Sequence, residues 1–488
     1  MNAHRAVSRT ALALAAAVAL LCAAGPAAAP AAAQATDTGS ADFTRYAAIG
    51  DSLTAAFASG GLHEDVQRLS YPALIARQAG VSSFQQPLAG APGIPPLLAI
   101  QGLGPGAPTI VPRSAQPGAP LNLNLPRPYD NMAVPGFDVH DVLVTRAGNQ
   151  IVNLILRGLG TQLEQVAALQ PTFVTVWIGN NDVLGAATSG LVIEGVTLST
   201  VPQFDADFRN LITTLDQLVG ADLAVATIPD VAALPFVTTI PPVVVDPVTR
   251  EPILIGGQPI PLLGPDGPLA LDDRVLLTAS PLLAQGIGIP AQIGGTGNPL
   301  PDSAVLSAAE VATIRDRTAA FNAIIRDAAA GAGAALVPID DIFEEIVAEG
   351  FPVGGGITYT TDFLTGGIFS YDGVHPSPFG YATVANAFIE AINATYGGSI
   401  PEVDLFPFVF GPEGSAGATI PDPTGLGSLA GAVFSERAGK DLLESLRVFQ
   451  RPGRRRPAPG PDPSEPGGAP EAPIERSPRQ EGRSPRGF

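Results

Sequence analysis

The chain has 488 residues, 26 basic against 45 acidic, and a formal net charge of −19. That balance argues against nucleic acid as a partner, and a single cysteine, Cys22, excludes a disulfide framework within the chain. From the N-terminus, Arg5 and Arg9 precede an apolar run, Ala11–Ala24, and Ala33-Gln34-Ala35 offers a cleavage site, the pattern of a secretory signal. Gly25 and Pro26 break the run, and it is too short for a comfortable membrane span. A secreted or periplasmic protein with no integral membrane segment after removal of residues 1–35 is therefore expected. Cys22 lies in this segment behind Leu21, where a lipoprotein signal would place a small residue, so the mature chain has no thiol for a disulfide or a metal.

An apolar run at 45–49 (RYAAI) reads as a buried strand and ends in Gly50-Asp51-Ser52-Leu53. Ser52 is there either a nucleophile or a helix cap. A second run, 173–178 (FVTVWI), ends in Gly179-Asn180-Asn181-Asp182, and a helical pattern follows at 203–219. After a third strand at 222–228, residues 235–303 are rich in Pro and Gly and show no clear helix. We read them as an insertion, with 243–255 as two strands around a polar turn. Residues 307–329 carry a capping box, Ser307 with Glu310, and apolar residues at three and four. A fourth strand is expected at 334–339, and a last helix from Pro378 to Asn393. Alternating strands and helices predict an α/β fold, a three-layer α/β/α sandwich with a parallel central sheet. Such sheets bind ligands beyond the carboxyl ends of their strands.

The insertion begins soon after such an end, so it is expected on the same face. Its residues Val243, Val244, Val245, Ile253, Leu254, Ile255, Leu262 and Leu263 are too many to leave uncovered. They are expected to wall an acyl pocket or cover it as a lid, the alternative being a hairpin packed against the core that only adds stability. In the 401–450 extension, 403–410 (VDLFPFVF) and 442–449 (LLESLRVF) carry enough apolar surface to dock on the core. Residues 451–488, with ten prolines, six glycines and few apolar side chains, read as a disordered tail. Taking +2 in residues 1–35 and +3 in the tail away from −19 leaves −24 on residues 36–450.

A serine nucleophile needs a base, a group to orient the base and donors for the developing oxyanion. The mature histidines are His63, His140 and His375. His63 and His140 sit in stretches that read as partly exposed helix or loop. His375 lies in 371–380 (YDGVHPSPFG), three residues after Asp372. That spacing lets the carboxylate fold back on the imidazole Nδ1–H and leaves Nε2 free to face a serine.

With four short blocks in order, the chain resembles the SGNH (GDSL) hydrolase superfamily of lipases and esterases. The blocks are Gly50-Asp51-Ser52-Leu53, Gly136 in Asn131-Met-Ala-Val-Pro-Gly136, Gly179-x-Asn181-Asp182, and Asp372-x-x-His375-Pro376. The resemblance covers about 43–396, and 235–303 is its least typical part. It implies Ser52 as nucleophile, His375 as base and then acid, and Asp372 as the group that orients it. It also implies an oxyanion hole built from the Ser52 N–H, the Gly136 N–H and the Asn181 side chain. Asp51 and Asp182 brace their loops on this reading. The implied activity is hydrolysis of a small-molecule or lipid carboxylic ester without metal or cofactor. The alternatives are a carbohydrate acetylesterase, which the superfamily also contains, and a non-catalytic surface binding protein on the same fold.

Overall fold

The computed structural model describes residues 36–101, 109–246, 249–410 and 433–447. The signal segment 1–35 and the tail 451–488 lie outside the described residues. Four apolar runs become a parallel sheet in the order β1 (Tyr46–Gly50), β2 (Phe173–Trp177), β3 (Asp222–Ala226), β4 (Ala335–Val337). Ala47 pairs with Val174, Val174 with Leu223, and Ala224 with Ala335. The fourth run stops at Val337, two residues short of expectation, because Pro338 has no N–H for a ladder and the next helix starts at Ile339.

The sheet has one more member, which the composition hid. Residues 130–134 run parallel to β1: Ala48 donates to the Asp130 carbonyl, Met132 to Ala48 and Val134 to Gly50, at 2.8, 3.0 and 3.1 Å. The segment includes Asp130 and Asn131, so it lacks the uninterrupted apolar run that marks the other strands. Counting it, the chain order across the sheet is 2-1-3-4-5. In such sheets the ligand site lies at the switch point beside the first strand.

Side chains alternate across the sheet and meet a helical layer on each face. Tyr46, Phe173, Trp177, Ala224 and Val337 face helices α1 (Tyr71–Gln78), α6 (Ile339–Glu349) and α7 (Pro378–Tyr396). Ala47, Ile49, Val174, Val176 and Val225 face α2 (Gln162–Leu169), α3 (Asn181–Ser189), α4 (Val201–Thr213) and α5 (Ala308–Gly331). The sandwich is therefore three layers deep. Helix α5 begins at the capping box read from the sequence, with Ser307 Oγ accepting from the Glu310 N–H and Glu310 from the Ser307 N–H. On its inner stripe Phe321 stacks on Phe204 of α4, with centroids 3.9 Å apart.

The insertion folds on itself. Val244, Ile260, Leu262, Val275, Leu300 and Val305 form a separate small core. The strand expectation at 243–255 holds only in part. Val245 bridges Pro252, but the paired strands are two-residue hairpins, Leu254–Ile255 with Gln258–Pro259 and Leu263–Gly264 with Gly267–Pro268. Prolines at 252, 259, 261 and 268 lack the N–H a longer ladder needs. The insertion also contains single helical turns, Pro235–Thr238 and Ser280–Ala284. Contrary to expectation, Leu254 and Ile255 stay uncovered, at 57% and 62% exposure.

Beyond α7 the extension is held by its backbone. The Asn386 amide accepts from the Val403 N–H and donates to the Val403 carbonyl, at 2.7 and 3.1 Å. Phe408 is buried, while Phe406 and Phe410 are exposed. In the last helix, Glu436–Arg447, Ala438 and Leu442 are buried against the core. Residues 448 and 449 of the predicted docking stretch lie outside the described residues.

Candidate active site

The carboxyl end of β1 passes directly into the Ser52 loop. A Cβ on Gly50 would stand 1.9 Å from Thr54 Oγ1 and 2.6 Å from the Trp177 carbonyl, so only glycine lets the loop turn so tightly over β2. Ser52 is 2% exposed and lines a pocket. It caps no helix in the structure. The Leu53 N–H instead goes to Asp51 Oδ1 at 2.9 Å.

Asp372 and His375 arrive on the loop before α7. His375 Nδ1 lies 3.0 Å from Asp372 Oδ2, and both residues are buried. The same carboxylate takes four more donors. Gly60 N–H reaches Oδ2 at 2.9 Å, and the Val374 N–H, His375 N–H and Ser370 Oγ reach Oδ1 at 2.9, 2.8 and 3.2 Å. Burial alone would raise the Asp372 pKa. The charge of His375, its hydrogen bond and the backbone N–H groups outweigh that and hold it below the ordinary carboxylate value. Phe57 packs against the imidazole at 4.8 Å between centroids. The Tyr381 hydroxyl, from α7, donates to the Phe57 carbonyl at 2.6 Å. His375 Nε2 is buried and makes no hydrogen bond among the described residues.

The glycine and asparagine blocks meet each other. Gly136 has φ +90°, a conformation that glycine adopts without strain. It follows the edge segment whose Val134 donates to Gly50. Asn181, the first residue of α3, donates Nδ2 to the carbonyl of Phe137, the residue after Gly136, at 2.9 Å. Its Oδ1 is buried without a partner among the described residues. Ser52 and His375 line the pocket with Asp372 behind the histidine, whereas Gly136 and Asn181 stand outside its lining. Asp182 accepts from the Val139 N–H at 3.1 Å and ties the asparagine block to residues 138–144.

Two other histidines are elsewhere engaged. His140 is half-buried, with Nδ1 2.9 Å from Asp207 Oδ2. His63 is buried rather than partly exposed as the sequence suggested. It caps the short helix Glu64–Gln67, where its Nδ1 accepts from the Asp65 N–H. An imidazole ring used as a cap lies against the backbone, which the polar neighbours Glu64 and Asp65 disguised.

The pocket leads from Ser52 and His375 into the seam between α6 and α7. Ile339, Ile342, Phe343 and Ile346 of α6 form one wall, and Val384 and Ala387 of α7 the other. Among the described residues its only polar side chains are Ser52, Asn180, Thr383 and His375, apart from the indole of Trp177, whose N–H is given to the Thr227 carbonyl. No described residue of 235–303 lines it, so the described part of the insertion does not wall the pocket. The insertion meets the site from outside, where the Phe236 N–H donates to the Gly373 carbonyl at 2.9 Å.

A family model described as GDSL-like lipase/acylhydrolase matches residues 46–388. The chain belongs to this family. That match spans all four blocks and the whole parallel sheet. This GDSL-like chain is also similar to two solved structures. One is LAE5, an alpha/beta hydrolase enzyme from the metagenome of Lake Arreo, Spain, at 14% identity and TM-score 0.34, covering 73% of this chain and 97% of that one. The other is a catalytic variant of Axe2, an acetylxylan esterase from Geobacillus stearothermophilus, at 14% identity and TM-score 0.33, covering 72% and 95%. Curated protein sequences gave no match.

Asn180 is the residue that sequence reasoning passed over. It fills the unspecified position of the Gly179-x-Asn181-Asp182 block, yet it lines the pocket, and its Nδ2 donates to Asp51 Oδ2 at 2.9 Å. The available signal was a second asparagine at a strand-to-helix junction.

Proposed function

We propose that this GDSL-like chain is an exported serine hydrolase of carboxylic esters with an apolar acyl group. The apolar seam between α6 and α7 that opens at Ser52 and His375 carries the reading. Hydrocarbon gains free energy by leaving water for such walls, about 0.8 kcal/mol for each buried CH₂, whereas a sugar would leave its hydroxyls unpaired there. The leader-like residues 1–35 support export.

In the mechanism His375 Nε2 takes the Ser52 proton as Oγ attacks the ester carbonyl, and the carbonyl π pair moves onto oxygen. The Ser52 and Gly136 N–H groups and the Asn181 amide donate to that oxyanion. Collapse expels the alcohol, which takes the proton from His375. Water then repeats the sequence on the acyl-enzyme and releases the acid. Asp372 fixes the imidazole with Nδ1 protonated and Nε2 free, and its charge stabilises the imidazolium.

The test is a panel of p-nitrophenyl esters of rising chain length beside acetylated xylo-oligosaccharides, with fluorophosphonate labelling of Ser52. Labelling with a preference for longer acyl chains is the expected result. Ala387→Trp, which fills the seam, lowers kcat/KM for the long esters and spares acetate. Preference for the acetylated sugar would overturn the acyl assignment, and absence of both labelling and turnover would make the chain a binding protein.

A further inference from the structure

Two buried groups beside the serine have no part in the mechanism above. Asp51 is fully buried, and among the described residues its carboxylate accepts from neutral amides, the Leu53 N–H and Asn180 Nδ2, each at 2.9 Å. No ion pair reaches it among the described residues. Asn180 precedes α3 with helical backbone angles, φ −60° and ψ −41°, rather than the extended geometry of a capping residue. Its side chain makes no capping bond. Its Nδ2 is committed to Asp51 instead, and its Oδ1 is buried without a partner among the described residues. The Asn180 amide thus holds one carboxylate against the Ser52 loop.

Resting on the serine-hydrolase reading, we infer that Asn180 and Asp51 form a positioning pair that sets the Ser52 loop in place and supplies a second negative charge to the imidazolium of His375. Protonation of His375 creates a cation in a closed site. Asp372 answers it at Nδ1, and Asp51 answers it from the serine side. Asp51 itself neither takes nor gives the transferred proton, which passes from Ser52 Oγ to His375 Nε2 and on to the leaving alcohol.

The groups facing Asp51 leave it free to act in this way. Its own loop offers the Leu53 N–H, and α3 offers the neutral Asn180. From α1 and α7 come Tyr71 and Tyr381, whose hydroxyls burial keeps protonated. The acid–base loop contributes His375, the only one of these groups that can become a cation. Burial first, then too few compensating donors, pushes the Asp51 pKa up to about 6. The carboxylate is therefore charged at neutral pH and lost as a charge in mild acid.

Asp51→Asn tests the pair, because it keeps an acceptor for Leu53 and a partner for Asn180 while deleting the charge. The expected result is a 10- to 100-fold fall in kcat with KM little changed, a melting temperature no lower than that of wild type, and loss of the acid limb near pH 6 from the profile of kcat/KM. Asn180→Ala removes a donor to the charged form, so it should move that limb to higher pH. A wild-type rate and profile in both variants overturns the inference. So does a loss of activity that follows a fall in melting temperature while the limb stays in place, since a structural role does only that. Ser52→Ala is assayed alongside. Turnover by that variant would overturn the serine-hydrolase reading itself, whatever the other two variants do.

Discussion

The serine loop and the acid–base loop each bury one aspartate, and the two are built in opposite ways. Asp372 has five donors, among them the His375 ring and the Gly60 backbone from a distant loop. Asp51 has, among the described residues, two from other residues, both neutral amides. The same side chain is held below its ordinary pKa in one loop and lifted to about 6 in the other. Burial is common to both, so the difference lies in the partners: hydrogen bonds and an adjacent imidazole more than offset desolvation at Asp372 and fall short at Asp51. One loop is a satisfied network that locks a geometry. The other stores an unfavourable charge where the chemistry makes use of it.

The strongest way to break the comparison is at the locked loop. Asp372→Asn should lower kcat by about 10⁴-fold, because the amide no longer enforces the imidazole tautomer. Asp372→Ala should in addition destabilise the fold by about 3–5 kcal/mol, since it strips the partner from several buried donors. Steady-state kinetics and urea unfolding of the two variants separate these effects, and near wild-type activity in Asp372→Asn would remove the aspartate from the mechanism.

Asn181→Ala lies next in size. Its amide is proposed to meet charge that exists mainly in the transition state, so kcat should fall about 10²–10³-fold while KM moves little. A change confined to KM would place Asn181 in ground-state binding instead.

The stored charge of Asp51 makes a prediction of opposite sign for stability. A carboxyl whose folded pKa lies above its unfolded value weakens the fold once ionised. That penalty is absent well below pH 3.8, grows as the pH rises towards 6, and is complete above it. Asp51→Asn should therefore unfold no more easily than wild type at pH 8, and up to about 3 kcal/mol less easily, with the gain shrinking towards pH 4. For Asp372 the sign is reversed. Its lowered pKa contributes stability above the ordinary carboxylate value that is lost as the pH falls through the lowered one. Urea titrations at pH 4, 6 and 8 measure both slopes, and parallel slopes in Asp51→Asn and wild type would contradict the assignment.

The smallest effect is expected in the insertion. Replacing residues 243–255 by a Gly-Ser linker should cost a few kcal/mol from its separate core and should lower hydrolysis of short and long esters alike. A selective loss of the long esters would show that the segment reaches the acyl seam in solution.

Much of this was legible in the chain itself. Uninterrupted apolar runs marked β1 to β4, because strands covered on both faces admit little else, and the Ser307–Glu310 box marked the start of α5 because capping is a local act. Asp372 and His375 could be paired for the same reason: three residues in a tight loop already bring the carboxylate to Nδ1. The strands, the caps and the spacing of the blocks are thus set by residues close together in the chain. Only the tertiary structure decided the rest. Residues 130–134 became a strand through β1 beside them and not through their own pattern. His63 was buried by the chain around it, and the insertion found a core of its own rather than the pocket. The α6–α7 seam joins side chains some 40 positions apart. The bond from Asn180 to Asp51 spans 129 residues. No periodicity records such contacts, because they exist only when the sheet brings the ends of β1 and β2 together.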